Sequence, residues 1–195
     1  MSTVAESTIS PTVQTWSVWH IDPRHSLVEF SVRHMMLSRV RGRFTGVSGT
    51  IIDAAEDPKY SSVKAEIDVT SLVTGDPQRD EHLQSPDFFD VANHPTITFE
   101  SRRVSGPREH YKVLGDLTIR GQTREVTLDV TFNGTATNPM GQSVAGFRVE
   151  TEINRKDFGL NWNMALEAGG FLVGDTARIE IELEAVKQEP ASTGD

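Results

Sequence analysis

The chain has no cysteine among its 195 residues. Disulfide staples, thiolate metal sites and cysteine nucleophiles are therefore excluded together, although the compartment is not identified by this. Positive charge is also short. Lys and Arg number 19 against 28 Asp and Glu, a net charge of −9, so no global field exists to hold a polyanion and nucleic acid is not expected as a partner. Long hydrophobic runs are missing: no window approaches the roughly 18 apolar residues of a membrane span. The first fifteen residues, MSTVAESTISPTVQT, carry neither a basic start nor an apolar stretch, so no secretory signal is read and the expected location is cytoplasmic. Catalytic signatures are absent as well. There is no G-x-S-x-G, H-E-x-x-H, Walker loop or G-x-G-x-x-G.

What is present is alternation. Hydrophobic residues make up 36% of the chain, enough for one sizeable core, and a single domain from about Trp16 to Val186 is expected, with residues 1–15 and 187–195 as disordered ends. In SLVEFSVR, Val28, Phe30 and Val32 share one side while Glu29, Ser31 and Arg33 take the other. Residues 63–69, 126–132 and 179–183 repeat the pattern, and 16–21, 41–52, 96–104, 111–119 and 143–154 carry weaker versions. About nine strands result, separated by turn signals such as Asp22-Pro23, Gly106-Pro107 and Asn138-Pro139. The glycines at 169, 170 and 174 read as a hairpin connection. The pattern breaks between Val73 and Pro95, where Asp76 or Ser85 would cap short helices over DPQRDEHLQ and SPDFFDV.

Antiparallel strands with one polar face suit a sandwich or a closed barrel. A barrel of about eight strands is wide enough to be filled by its own side chains or to hold one small ligand. The insertion near residues 76–91 then serves as a lid or plug, with Leu83, Phe88 and Phe89 needing a dry place to go.

Candidates for chemistry are few. Asp80, His82 and His94 lack the spacing of a three-ligand metal set, and the segment Arg79–His82 also reads as a polar helix face, so no metal is assigned. One local charge reversal stands out: Arg24, Arg33, Arg39, Arg41 and Arg43 face only Glu29 within twenty residues. Arg39, Arg41 and Arg43 share parity, which gives either a phosphate-recognising rim or a solvated strand face. Met35, Met36 and Met164 are soft residues of the kind that line adaptable cavities or fill ordinary cores.

Four stretches resemble the YceI-like family, the polyisoprenoid-binding, lipocalin-like proteins of bacteria. They are WHIDPRHSLVEFSVRHMMLSRVRGRFTGVSGTI (19–51), RDEHLQSPDFFDVANHPTITFES (79–101), GDLTIRGQTREVTLDVTF (115–132) and INRKDFGLNW…GFLVGDTARIEIELEA (153–185). The resemblance implies an all-β fold with short helices, an extended antiparallel eight-stranded lipocalin-like barrel around an apolar tunnel. It also implies binding of a long isoprenoid chain, a polyprenyl phosphate or quinone-type lipid, for transport or sequestration, with no cofactor and no catalysis. Many members carry a secretion signal; its absence here favours an intracellular carrier. A homodimer is kept as a candidate assembly.

Parity assigns Val28, Phe30, Val32, Phe44, Ile67, Ile97, Phe99, Leu117, Ile119, Val130, Phe132 and Phe147 to the ligand-facing wall, and Met35, which directly follows the Phe30/Val32 run, is added to it. Leu83, Phe88, Phe89, Trp162 and Met164 are added from the insertion and the late loop. His34, Arg39 and Asn161 are the headgroup candidates. The alternative function is an enzyme acting on a bound lipid headgroup by His/Asp acid–base chemistry.

Overall fold

The computed structural model describes residues 15–54, 56–167 and 169–189. The residues assigned above to disordered ends lie largely outside these. Lys187 still pairs with Trp19, and the Gln188 amide donates to the Val18 carbonyl at 2.7 Å, so ordered structure runs past Val186.

Eleven strands build one sheet: β1 (Trp16–Ile21), β2 (Leu27–His34), β3 (Ser38–Phe44), β4 (Val47–Ala54), β5 (Ser62–Asp68), β6 (Leu72–Val73), β7 (Thr96–Ser105), β8 (His110–Ile119), β9 (Gln122–Thr137), β10 (Ser143–Asn154) and β11 (Val173–Lys187). Every pairing is antiparallel. The first six strands are three long strands, each broken once. β1 and β2 lie end to end along β11, β3 and β4 continue each other alongside them, and β5 and β6 form the third. With β7 to β11 they close an eight-stranded up-and-down barrel. Closure removes the free edges that an open sheet exposes.

The breaks have local causes. Between β3 and β4 the amides of Thr45 and Gly46 turn to the Ser71 hydroxyl, at 3.1 and 2.9 Å. Between β5 and β6 Asp68 accepts from the Thr70 amide and starts a 3₁₀ turn over Val69–Ser71. A single run at 41–52 is therefore two strands, and Val69, expected in a strand, sits in that turn.

One end of the barrel carries the insertion. Helix α1 (Pro77–Gln84) starts where Asp76 caps it, its carboxylate accepting from the Gln78 and Arg79 amides. The second expected helix, SPDFFDV, is a run of turns. Ser85 ends α1 instead of starting a helix: its hydroxyl donates to the His82 carbonyl, and its own carbonyl accepts from Phe88 and Asp90. Asp90 takes a left-handed conformation (φ 51°), which a helix cannot continue. Arg120 ties the turns down, donating to the Pro86 carbonyl at 2.7 Å and the Gly159 carbonyl at 2.8 Å.

Candidate ligand-binding cavity

The barrel is hollow. A cavity of about 450 Å³ runs along its axis, walled almost entirely by apolar side chains from every long strand. Alternation explains the wall. Val28, Phe30 and Val32 face the lumen, Glu29 is exposed outward, and the register Phe30↔Gly42 leaves room for the Phe30 ring to lie over the glycine. Phe44, Ile67, Ile97, Phe99, Leu117, Ile119, Val130, Phe132 and Phe147 complete the strand-borne wall.

The two ends of the cavity differ. At the insertion end Leu83, Phe88 and Phe89 enter from the insertion, and Trp162 from the loop between β10 and β11. Phe89 meets Phe44 edge-on with centroids 5.8 Å apart, and Phe88 lies 5.3 Å from Trp162. These aromatic contacts seat the insertion in the barrel mouth as a plug. At the far end Trp19 packs with Ala145 and Ala185, joined by Phe132 and Phe147, whose rings are 5.4 Å apart.

Apart from Thr151 on the mid-wall, polar groups reach the cavity near these ends. At the insertion end they are Arg33, His34, Arg79, His82 and Arg155; at the other they include Asp53, Ser61, Ser62, Arg108 and Tyr111. Burial pushes the Tyr111 phenol above its ordinary range. Most of the insertion-end groups already have structural partners. Arg79 donates to the Thr74 hydroxyl and carbonyl, Asp80 accepts from the Thr74 amide at 2.8 Å, and together they staple α1 to the chain leaving β6. His82 lies 3.1 Å from Asp87, with its ring edge-on to Trp162 at 4.8 Å. His34 is different: among the described residues its ring makes no hydrogen bond or ion pair, and it faces the cavity.

Arg155 is the most buried charge, 4% exposed. Its guanidinium donates to the carbonyls of Leu160, Trp162, Val173 and Gly174 and pairs with Asp175 at 3.7 Å. Burial lowers its pKa, and Asp175 opposes that. The side chain thus fixes the 155–174 connection and holds Trp162 at the mouth. Its role was not readable beforehand, because the partners are backbone carbonyls that carry no sequence signal.

Four residues read as ligand-facing sit elsewhere. Met35, read as ligand-facing because it directly follows the Phe30/Val32 run, occupies the tip of the β2–β3 hairpin, past the last residue of β2 and in a left-handed backbone (φ 51°). Met164 is exposed on the 155–174 connection. Arg39 lies on the outer face of β3, its guanidinium 3.3 Å from the Ser31 hydroxyl on the neighbouring strand. Asn161 borders a shallow polar surface pocket with Arg120, Lys156 and Asp157. Of the headgroup candidates only His34 reaches the lumen, joined by Arg33, which parity had placed outside. The metal reading of Asp80, His82 and His94 finds no convergence: Asp80 is taken by Thr74, His82 by Asp87, and the His94 ring lies against Gly121. Among the described residues Asp22, His25 and Glu184 do converge, but on the outer surface, where His25 is already hydrogen-bonded to Asp22 at 2.7 Å with Glu184 3.8 Å away.

Comparison with known proteins fits this barrel. The YceI-like domain pattern matches residues 19–185, nearly the full span of the described residues. The chain belongs to the YceI-like family. A UPF0312 protein of Staphylococcus aureus is 41% identical over 170 residues, spanning 84% of this chain and 94% of that protein. Among solved structures, Burkholderia cenocepacia BcnA superposes with a TM-score of 0.73 at 24% identity, covering 84% of this chain and 98% of its own. A polyisoprenoid binding domain from Saccharophagus degradans, implicated in plant cell wall breakdown, gives 0.64 at 16% identity over 90% and 99%. Both share the YceI-like barrel architecture.

Proposed function

We propose that the protein binds a long-chain isoprenoid lipid, a polyprenyl phosphate or quinone-type molecule, inside its barrel and acts as an intracellular carrier or sequestering protein without chemistry on the ligand. The observation that carries this reading is the axial cavity, about 450 Å³ and apolar along its length. That volume falls within the usual range for small-molecule sites. Its length is set by strands such as β11, whose 15 residues reach about 50 Å before tilt. A long, narrow, apolar tunnel suits a linear chain of repeated, methyl-branched apolar units. Burial of such a tail returns roughly 25 cal/mol per Å² before ordering costs. The likeness to a domain described as binding polyisoprenoids supports the ligand class. His34 and Arg33, the polar groups beside the plug, would meet the headgroup.

Mass spectrometry of an organic extract of the purified protein tests the proposal. An extractable prenyl lipid, and saturable uptake of added polyprenyl phosphate by the stripped protein, are the expected results. Stripped protein that ignores prenyl lipids of every chain length would sink it.

An enzyme reading is favoured by one observation, the His82–Asp87 pair at the cavity end. An acid–base pair must convert its ligand. Recovery of intact lipid after prolonged incubation with wild-type protein argues for carriage, and a His82-dependent product argues for catalysis.

A further inference from the structure

The rim at the plugged end carries an apolar tip that no packing explains. The β2–β3 hairpin turns through Met35 and Met36, both in left-handed backbone (φ 51° and 59°), and presents Met36, 69% exposed, and Leu37, 85% exposed, to solvent. The second hairpin, closed by the Ala165↔Phe171 bridge, adds Met164 and Phe171, the latter 59% exposed. The two tips are joined at their bases, where the Met35 amide donates to the Leu172 carbonyl at 2.8 Å and Val173 pairs with His34. Arg33, His34, Leu172 and Val173, at the base of this unit, line the cavity.

Charge around the tip runs against the rest of the molecule. Arg33, Arg39, Arg41 and Arg43 make no ion pair among the described residues; Arg102, Arg148 and Arg178 are paired with acids, while Arg24, Arg103, Arg120 and Arg124 are unpaired but scattered rather than gathered on one strand face. Pairing across the outer face shows the gradient: Glu29 stands opposite Arg43, Ser31 opposite Arg41, and Arg33 opposite Arg39, so the face becomes wholly basic toward the tip. Lys156 lies 5.9 Å from the centre of the Phe171 ring. Glu167, at the turn of the second hairpin, and Asp175 stand against them; Asp175 pairs with Lys156 at 2.9 Å, so the unpaired cations of the face are the arginines of β2 and β3. Exposed apolar tips ringed by unpaired arginines, on a chain of net charge −9, match the requirements of a bilayer interface: side chains that enter the headgroup–acyl boundary and cations that meet anionic lipid.

We propose that the β2–β3 tip and the neighbouring segments 163–167 and 169–172 form a docking face for an anionic lipid bilayer, presenting the plugged mouth of the barrel to the membrane. The purpose rests on the lipid-carrier reading, but the docking is measurable without it. The face explains why two methionines are held in a strained turn: the turn aims Met36 and Leu37 outward, past the barrel rim.

Flotation with phosphatidylcholine vesicles, with and without phosphatidylglycerol, tests the face on the full chain. Binding is expected only to the anionic vesicles and should fall with added salt. Arg39→Gln and Arg41→Gln should each weaken it roughly fivefold. Leu37→Asp, at a fully solvated position, should leave the circular dichroism spectrum unchanged and reduce binding at least tenfold. Met140→Asp, on the β9–β10 hairpin at the opposite end, should have no effect. Equal binding to neutral and anionic vesicles, equal loss from Met140→Asp, or a Leu37-dependent dimer with no vesicle binding would overturn the proposal. Uptake of polyprenyl phosphate from detergent micelles separates the two readings. Uptake without vesicle binding rejects the docking face alone, and vesicle binding without uptake upholds the face while rejecting the ligand.

Discussion

At the scale of single residues the molecule depends most on Arg155, a charge with backbone partners. Four carbonyls converge on its guanidinium, and no aliphatic side chain replaces those donors. Arg155→Met should destabilise the protein by about 3 kcal/mol, the scale expected when buried acceptors lose a charged donor. Urea unfolding measures it; a loss below about 1 kcal/mol would mean that water replaces the arginine. A second residue-scale test concerns His25. Its hydrogen bond to Asp22 at 2.7 Å raises the imidazole pKa, and the same bond lowers that of Asp22. The imidazolium contribution is complete below the ordinary histidine value of about 6.5 and is lost as pH rises through the raised one. The carboxylate contribution is complete above the ordinary value of about 3.9 and is lost as pH falls through the lowered one. His25→Ala should therefore shift the unfolding midpoint at about pH 5.5 and leave it unchanged well above neutrality. An equal shift at alkaline pH would show that packing, not charge, is lost.

Among the elements, strand parity was the legible signal. Val28, Phe30 and Val32 face the lumen as their alternation with Glu29, Ser31 and Arg33 requires, because a two-residue period admits only one inward set. Parity fails where the strand ends. Arg33, on the outer parity, still reaches the cavity because its strand is ending; Met35, assigned inward from its neighbours and not from parity, lies one residue past β2 in a left-handed turn. The broken strands were not legible either. The Thr45–Gly46 break is set by Ser71, 25 residues away, a contact that no local pattern announces. The glycines show how strand spacing meets cavity width. A methyl group on Gly49 would fall on the Lys64 carbonyl oxygen and within 2.9 Å of the Ala65 Cα, backbone that cannot yield without spreading β4 from β5. On Gly42 it would meet the far edge of the Phe30 ring, which can swing into the lumen. Gly49→Ala should cost about 2–3 kcal/mol, and Gly42→Ala about 1 kcal/mol or less while reducing lipid uptake. Thermal melts together with uptake assays check the pair. The reverse ranking, or full uptake by Gly42→Ala, would contradict this account of the wall.

For the whole molecule the decisive property is that the barrel is hollow, and alternation could not reveal it. Inward residues look alike in sequence whether their side chains meet across the axis or stop short of it; only the barrel's width separates the cases. The width has energetic consequences. At about 24 cal/mol per Å³, a void of this size costs on the order of 10 kcal/mol relative to a filled interior. A chain that keeps such a void has apolar surface held ready for an occupant, and an apolar void of this kind does not gain from water. Occupancy must then appear as stability. A ligand present at a hundred times its dissociation constant stabilises the folded state by about 2.7 kcal/mol. In a domain of this length each kcal/mol raises the midpoint by about 2–4 °C, so polyprenyl phosphate should lift the Tm of stripped protein by roughly 5–10 °C. The shift should grow with the number of isoprene units until the tunnel is full and then stop. Inorganic phosphate alone should produce none, because it buries no apolar area. If phosphate reproduces the shift, binding resides in the basic rim and the tunnel is not the site.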